Sequence, residues 1–348
     1  MDNDGIGRPA AVGWQRPGLS VYCGQGKGMK MLLDEQDLAA LALTSRLVES
    51  ATKPMPAREF WALRRRIEPS TLQGMTASEI AAELSIPSED AERIATLFDR
   101  AAGLAIALEK LDHSGIWTIT GTGERYPQRL RAQLGDSAPV VLHGVGDTSL
   151  LDTDGVGVVG SRDISAEGSQ IAREIAEGAV KSGLPVISGA ARGVDGDAMN
   201  AAFEVGGQVV GVLADALERS VTRRGTRRGV ADGRICLVTP FTPSAPFSVG
   251  NAMGRNKIIY GLSRCTIVVA SDHETGGTWA GAIEALKNGY GRVVSWIGPG
   301  SGAGNSALVR RGAAELPDVN RLEELFHESV VSPKVKVESL GDQLTLGF

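Results

Sequence analysis

The stretch that decides the fold is Gly155-Val-Gly-Val-Val-Gly-Ser-Arg162. Gly155 to Val159 is an apolar run that reads as a buried strand. Gly160-Ser161-Arg162 then turns the chain, and a helical pattern begins at Ala166. A strand that feeds a glycine turn and a helix start aims free backbone N–H groups, and the positive end of the helix dipole, at an anion. The arrangement repeats after Leu184-Pro-Val-Ile-Ser188, where Gly189-Ala-Ala-Arg192-Gly193-Val-Asp195 follows. Arg162 and Arg192 are thereby predicted at the carboxyl ends of two strands, the edge where open α/β sheets bind ligands.

Outward from this centre the pattern alternates strand and helix. Strands are predicted near 155–160, 184–188, 208–213, 234–238, 265–270 and 292–297, with helices near 166–182, 193–205, 251–262, 276–288 and 304–314. Val209-Val-Gly-Val-Leu213 and Thr266-Ile-Val-Val-Ala270 are continuously apolar, which implies burial on both faces and hence parallel pairing. The fold class is α/β: an extended Rossmann-like, doubly wound, mostly parallel sheet, preceded by a small all-α domain. In that leading part Leu38, Leu41, Leu43 and Leu47 recur at helical spacing. Thr76-Ala-Ser-Glu79 and Pro87-Ser-Glu-Asp90 open further helices, and Ile94, Leu97 and Phe98 form an apolar face. Trp117-Thr-Ile-Thr120 reads as a short strand, and Tyr126-Pro127 opens a helix. The expected division is a tail over 1–30, a helical domain over 31–115, the sheet domain over 116–315 and a linker over 316–348.

Composition places the 348 residues among ordinary globular proteins, with 42% hydrophobic and 22% charged side chains. The net charge of −5 excludes a global basic field, so any polyanion site must be local. Arg219, Arg223, Arg224, Arg227 and Arg228 do cluster, in a glycine-punctuated stretch expected to be a flexible, solvated loop. Cys23, Cys236 and Cys265 are scattered and odd in number, which fits a reduced, cytoplasmic compartment. His113, His143, His273 and His327 have no metal-ligand spacing, so neither metal nor cofactor is called for. No apolar stretch approaches membrane-spanning length, and the N-terminus lacks a signal-peptide pattern.

From Trp117 to Ala314 the order of motifs resembles the DNA-processing protein A (DprA/Smf) family. The matching segments are Tyr126-Pro127 with Leu130, Val141-Leu-His-Gly144, Gly160-Ser-Arg162, Ser188-Gly189, Ala191-Arg-Gly-Val-Asp195, Arg255-Asn-Lys-Ile-Ile259, Gly261-Leu-Ser263, Pro299-Gly300, Asn305 with Leu308, and Gly312-Ala313. The resemblance implies single-stranded DNA binding in a basic pocket, a homodimer, transfer of the strand to a RecA-type recombinase, and no enzymatic turnover. It also admits a role as the DNA-binding partner or antitoxin of a toxin in a phage-defence module. The chain departs from the family pattern at Met199, usually a histidine. It departs again at Ala214-Asp-Ala-Leu-Glu218 with Ser220-Val221, and at Ala252-Met253, where the family carries Phe-Pro. The family's C-terminal winged-helix domain is not found.

The candidate DNA- or phosphate-binding residues are Gly160, Ser161, Arg162, Ser188, Gly189, Arg192, Gly193, Arg255, Asn256, Lys257, Gly276, Gly277 and Thr278. Cations and neutral donors supply phosphate contacts, and glycines let a backbone approach closely. Glu274-Thr-Gly-Gly-Thr278 is a further glycine turn able to cradle phosphate. Asp195 is expected to cap a helix or hold Arg192, since a carboxylate repels phosphate. Tyr260 and Trp279 are the aromatic candidates for base stacking, with core packing as the competing reading. Gly276-Gly277 and Glu284 also bring to mind the LOG-type nucleotide phosphoribohydrolases, and a nucleotide-binding sensor is a third reading. The C-terminal Gln343-Leu-Thr-Leu-Gly-Phe348 resembles the peptides that dock on the bacterial sliding clamp, with Gln343 as the polar contact and Leu344, Leu346 and Phe348 as the apolar anchors.

Overall fold

The computed structural model describes residues 33–327. The tail with Cys23, and the peptide with Gln343, Leu344, Leu346 and Phe348, lie outside the described residues. Five helices come first: α1 (Glu35–Thr44), α2 (Ala57–Arg66), α3 (Ala77–Leu84), α4 (Ser88–Phe98) and α5 (Ala101–His113). Capping boxes from Asp34 and Thr76 start α1 and α3. Leu41, Leu43, Phe60, Trp61, Ile80 and Leu97 meet in one apolar core. Arg100 is buried and donates to the carbonyls of Ala42, Ser45 and Leu97, closing the free end of α1.

The sheet unit runs β1 (Trp117–Thr120), α6 (Gln128–Leu134), β2 (Val141–Val145), β3 (Val156–Val159), α7 (Ala166–Lys181), β4 (Val186–Ser188), α8 (Val194–Glu204) and β5 (Val209–Val212). It continues with α9 (Leu217–Thr222), α10 (Arg224–Ala231), β6 (Ile235–Thr239), α11 (Val249–Leu262), β7 (Cys265–Val268), α12 (Gly276–Asn288), β8 (Arg292–Trp296), α13 (Asn305–Arg310), β9 (Ala314–Leu316) and α14 (Leu322–His327). The spatial order is β1-β2-β6-β5-β4-β3-β7-β8-β9. From β6 to β9 all neighbours are parallel, while β2 pairs antiparallel with both β1 and β6. On one face Ala172, Ile175, Ala198 and Phe326 pack against Val158, Val186 and Ile267. On the other, Leu130, Ile258, Trp279 and Leu308 pack against Ile187, Val210 and Val268. This is the doubly wound α/β architecture expected from the sequence, with the small helical unit before it.

Three local expectations are corrected. The arginine-rich stretch is not a loop but α9 and α10: arginine is a good helix former, and Gly229 sits where a Cβ would run into Ile235. The helix expected to reach residue 314 stops at Arg310, because Gly312 takes a positive φ of 106° and the chain then enters β9. Residues 316–327, read as linker, are folded, with Leu322, Leu325 and Phe326 buried under α7. The motif Val141-Leu-His-Gly144 lies in the strand Val141–Val145, which joins β1 to the parallel sheet. No helix among the described residues is long and apolar enough to cross a membrane.

Candidate functional site

Chain order reverses at β3. The chain adds β4, β5 and β6 on one side, then returns to place β7, β8 and β9 on the other. Loops diverge at such a switch point and leave a crevice beyond the carboxyl ends of the strands. Two adjoining cavities lie there. The first, about 320 Å³, is lined by the turn after β3 (Gly160, Ser161, Arg162), by Met253, Arg255, Asn256 and Tyr260 of α11, and by Asp272 and the start of α12 (Gly276, Gly277, Thr278). The second, about 300 Å³, is lined by Gly189, Ala190, Ala191 and Arg192 after β4 and by Leu213, Ala214 and Asp215 after β5. Arg162, Ala191, Phe247 and Arg255 belong to both walls.

Arg255 is the anchor of the site. It is 4% exposed and lies 3.8 Å from Asp195 Oδ2, itself 6% exposed. Asp195 also accepts from the Gly189 amide at 3.1 Å. Its partner is therefore Arg255, not Arg192, because α8 turns its first residues inward beneath the β4 loop. Burial pushes the Asp195 carboxyl up, opposed by Arg255 and by the amides of Gly160, Gly189 and Ala191. Burial pushes the Arg255 guanidinium down; Asp195 and Asp215 raise it, and the neighbouring cation Arg162 lowers it. Arg255 Nε finds no acceptor. Two guanidiniums that repel each other, one desolvated and incompletely bonded, are a place where an added anion relieves strain in the charge distribution.

The remaining predicted residues fall into distinct places. Gly193, at φ 84°, makes the left-handed turn into α8, and the Val194 amide donates to Ser161 O at 3.2 Å, tying the two glycine turns together. Arg162 and Arg192 are exposed, and neither makes an ion pair with any described residue. Asn256 Nδ2 donates to Gly277 O at 3.1 Å, which fixes the start of α12 against α11. Gly276, Gly277 and Thr278 open α12, whose N-cap Thr275 makes no side-chain cap, so the first amides of a thirteen-residue helix face the cavity. Ser188 is fully buried and spends its hydroxyl on Val158 O at 2.6 Å. Ser161 donates to Asp163 O at 2.9 Å. Lys257 is not in either lining; its charge feels Glu284 and Arg58, on the other side of α11. Tyr260 and Trp279 are core residues at 2% and 7% exposure; Tyr260 also touches the first cavity, and its buried hydroxyl has no hydrogen-bond partner.

The residue that sequence reasoning missed is Phe247. It is 47% exposed, and the Arg162 guanidinium sits 5.1 Å from its ring centroid, forming a ridge between the two cavities. The available signal was Pro246-Phe247-Ser248, an aromatic placed directly before the N-cap serine of α11. Strained backbone borders the same cleft: Ala190 and Glu274 have positive φ of 51° and 58° without being glycine.

A Bacillus subtilis DNA processing protein DprA is 30% identical over 222 residues, covering 62% of this chain and 71% of the relative. The chain spans 36% and 55% of the lengths of the next two curated relatives it matches. The X-ray structure of the Streptococcus pneumoniae DNA processing protein A aligns with a TM-score of 0.64 at 21% identity, over 86% of this chain and 100% of that one. A Helicobacter pylori DNA processing protein A, whose structure concerns its single-stranded DNA binding mode, aligns with a TM-score of 0.50 at 22% identity, over 60% of this chain and 95% of that one. The model of the family described as DNA recombination-mediator protein A matches residues 117–327, which is the sheet unit from the first residue of β1 to the last of α14. On that match the chain belongs to the DNA recombination-mediator protein A family.

Proposed function

We propose that this protein binds single-stranded DNA across the cleft at the switch point and acts in DNA processing as a binding protein without turnover. The observation that carries the reading is the Arg162–Phe247–Arg255 ridge, which offers two cations to phosphates and an exposed ring to a base. The Helicobacter pylori relative's single-strand binding supports the choice of ligand. Glu284, the carboxylate that an N-glycosidic hydrolase of the LOG type would need, lies beside Lys257 and outside both cavities, which favours binding over cleavage. Family membership supports the further steps: a homodimer that passes its strand to a RecA-type recombinase.

The test is fluorescence anisotropy of labelled oligo-dT against wild type and Arg162→Ala, across a salt series and with duplex competitor. Binding that weakens with salt, survives duplex competitor and is weaker in Arg162→Ala is the expected result. No binding at low salt overturns the reading and turns the cleft over to a free nucleotide.

A further inference from the structure

The five arginines of α9 and α10 have no part in the cleft, yet they are not scattered. Arg219, Arg223, Arg224, Arg227 and Arg228 are all exposed. Helix geometry groups three of them, since positions 224, 227 and 228 share one face of α10, and Arg223 stands at its N-cap. The opposite side is apolar and packed: Leu217, Val221 and Val230 pack with Leu213 and Leu237, and Gly229 lies against Ile235 and Phe203. Between 217 and 233 the only carboxylates are Glu218 and Asp232. Arg228 approaches Asp232 at 3.9 Å while its side chain remains 83% exposed. No other arginine of the five pairs with a carboxylate among the described residues. A chain of net charge −5 thus keeps an uncompensated cationic face at one place.

The helix that opens that face starts beside the cleft. Asp215, in the wall of the second cavity, is two residues before α9, and the Glu218 amide donates to Pro243 O at 3.2 Å, joining α9 to the segment that carries Phe247. Four residues separate Arg224 from Arg228 within α10, about 6 Å at about 1.5 Å of helical rise each, and Arg219 and Arg223 extend the face back along α9 toward the cleft. Arginine is the side chain suited to phosphate oxygens, and phosphate contacts need no base sequence.

We propose that the arginine face of α9–α10 is a second phosphate track, which carries single-stranded DNA onward from the cleft. The proposal rests on the cleft reading above, and the experiment separates the two. Oligo-dT of about six nucleotides fills the cleft alone, and one of about twenty reaches the arginine face as well. Both are titrated over a salt series against wild type and against full-length protein carrying Arg223→Gln, Arg224→Gln, Arg227→Gln and Arg228→Gln together. A Lys version of the same four positions serves as the charge-retaining control.

The Gln variant is expected to keep wild-type affinity for the short strand. For the long strand it should lose tenfold or more at low salt, with a salt slope lower by about 0.7 for each contact removed. The Lys version should retain most of the long-strand affinity. Equal long-strand affinity and slope in wild type and the Gln variant overturn the track and point to an acidic protein partner for this face. Failure of wild type to bind either strand removes the cleft reading and the track with it. Loss of short-strand binding in the Gln variant, at an unchanged melting temperature, also overturns the track as a separate site.

Discussion

The guanidinium of Arg255 lies across the backbone of Gly189, in the space that a side chain at 189 would fill. The contact holds the cation between the two cavities and against Asp195. Gly189→Ala is therefore expected to displace Arg255 and cost about tenfold or more in oligo-dT affinity, together with a lower melting temperature. Anisotropy and thermal melts measure both. Wild-type affinity in this variant would remove Arg255 from the binding surface.

Asp195 is the group that lets Arg255 stay charged and buried. Asp195→Ala leaves the guanidinium uncompensated and is expected to destabilise the fold by about 3–5 kcal/mol, read from urea unfolding. Adding Arg255→Met removes the stranded charge. The double variant should recover much of the lost stability while binding DNA no better than Arg255→Met alone. A double variant as unstable as Asp195→Ala would place the role of Asp195 in the amides of the β4 loop instead.

Phe247 and Arg162 should separate cleanly by salt. Phe247→Ala removes a stacking surface worth about 1–3 kcal/mol per base and should weaken oligo-dT binding at an unchanged salt slope. Arg162→Ala should weaken binding and lower the slope by about 0.7. Phe247→Tyr, which keeps the ring, should stay close to wild type. A slope that changes on loss of Phe247 would mean that the ring only positions Arg162.

His143 sets an acid limit on stability. It is buried in β2, opposite Thr118 in β1 and Thr239 in β6, with Nδ1 2.9 Å from the Thr118 hydroxyl. Burial pushes its pKa down to about 4, while an exposed histidine titrates near 6.5. Between those values the unfolded chain binds more protons than the folded one, so stability increases with pH across that window. It is fully present above pH of about 6.5 and falls toward about 4, by up to about 1.4 kcal/mol per pH unit. Melting temperatures taken across that range should drop in wild type and drop less in His143→Asn. Parallel curves would assign the acid sensitivity to other groups.

The frame and the edge of the cleft were readable because their signals are local. Val156–Val159 and Cys265–Val268 are apolar enough to read as strands buried on both faces, and Gly160 and Gly193 mark turns whose geometry only glycine fits well. What each polar side chain does was less readable, since a helix face is settled by its partners. Arg255 and Lys257 are two residues apart on α11, so one turns into the cleft and the other away from it. Ser188 reads as a phosphate donor until the neighbouring strand supplies Val158 O. The arginine stretch reads as a loop from its glycines alone, because Ile235, the residue that makes Gly229 a packing contact, lies beyond the stretch.

The helical unit is joined to the sheet at several separate points. Trp61 Nε1 donates to Ala138 O at 2.8 Å, the Thr120 hydroxyl donates to Asp37, Arg131 stacks 3.9 Å from the Trp61 ring centroid, and Val140 and Val141 belong to the helical core. Cutting the chain ahead of β1 exposes that apolar seam and strips β1 and β2 of their support. Because β2 is the strand that flanks β6, the damage passes into the parallel sheet itself. The leading helices thus act as a keystone: the sheet unit that carries the family match leans on a seam outside itself, and a shortened chain is expected to melt below the whole one.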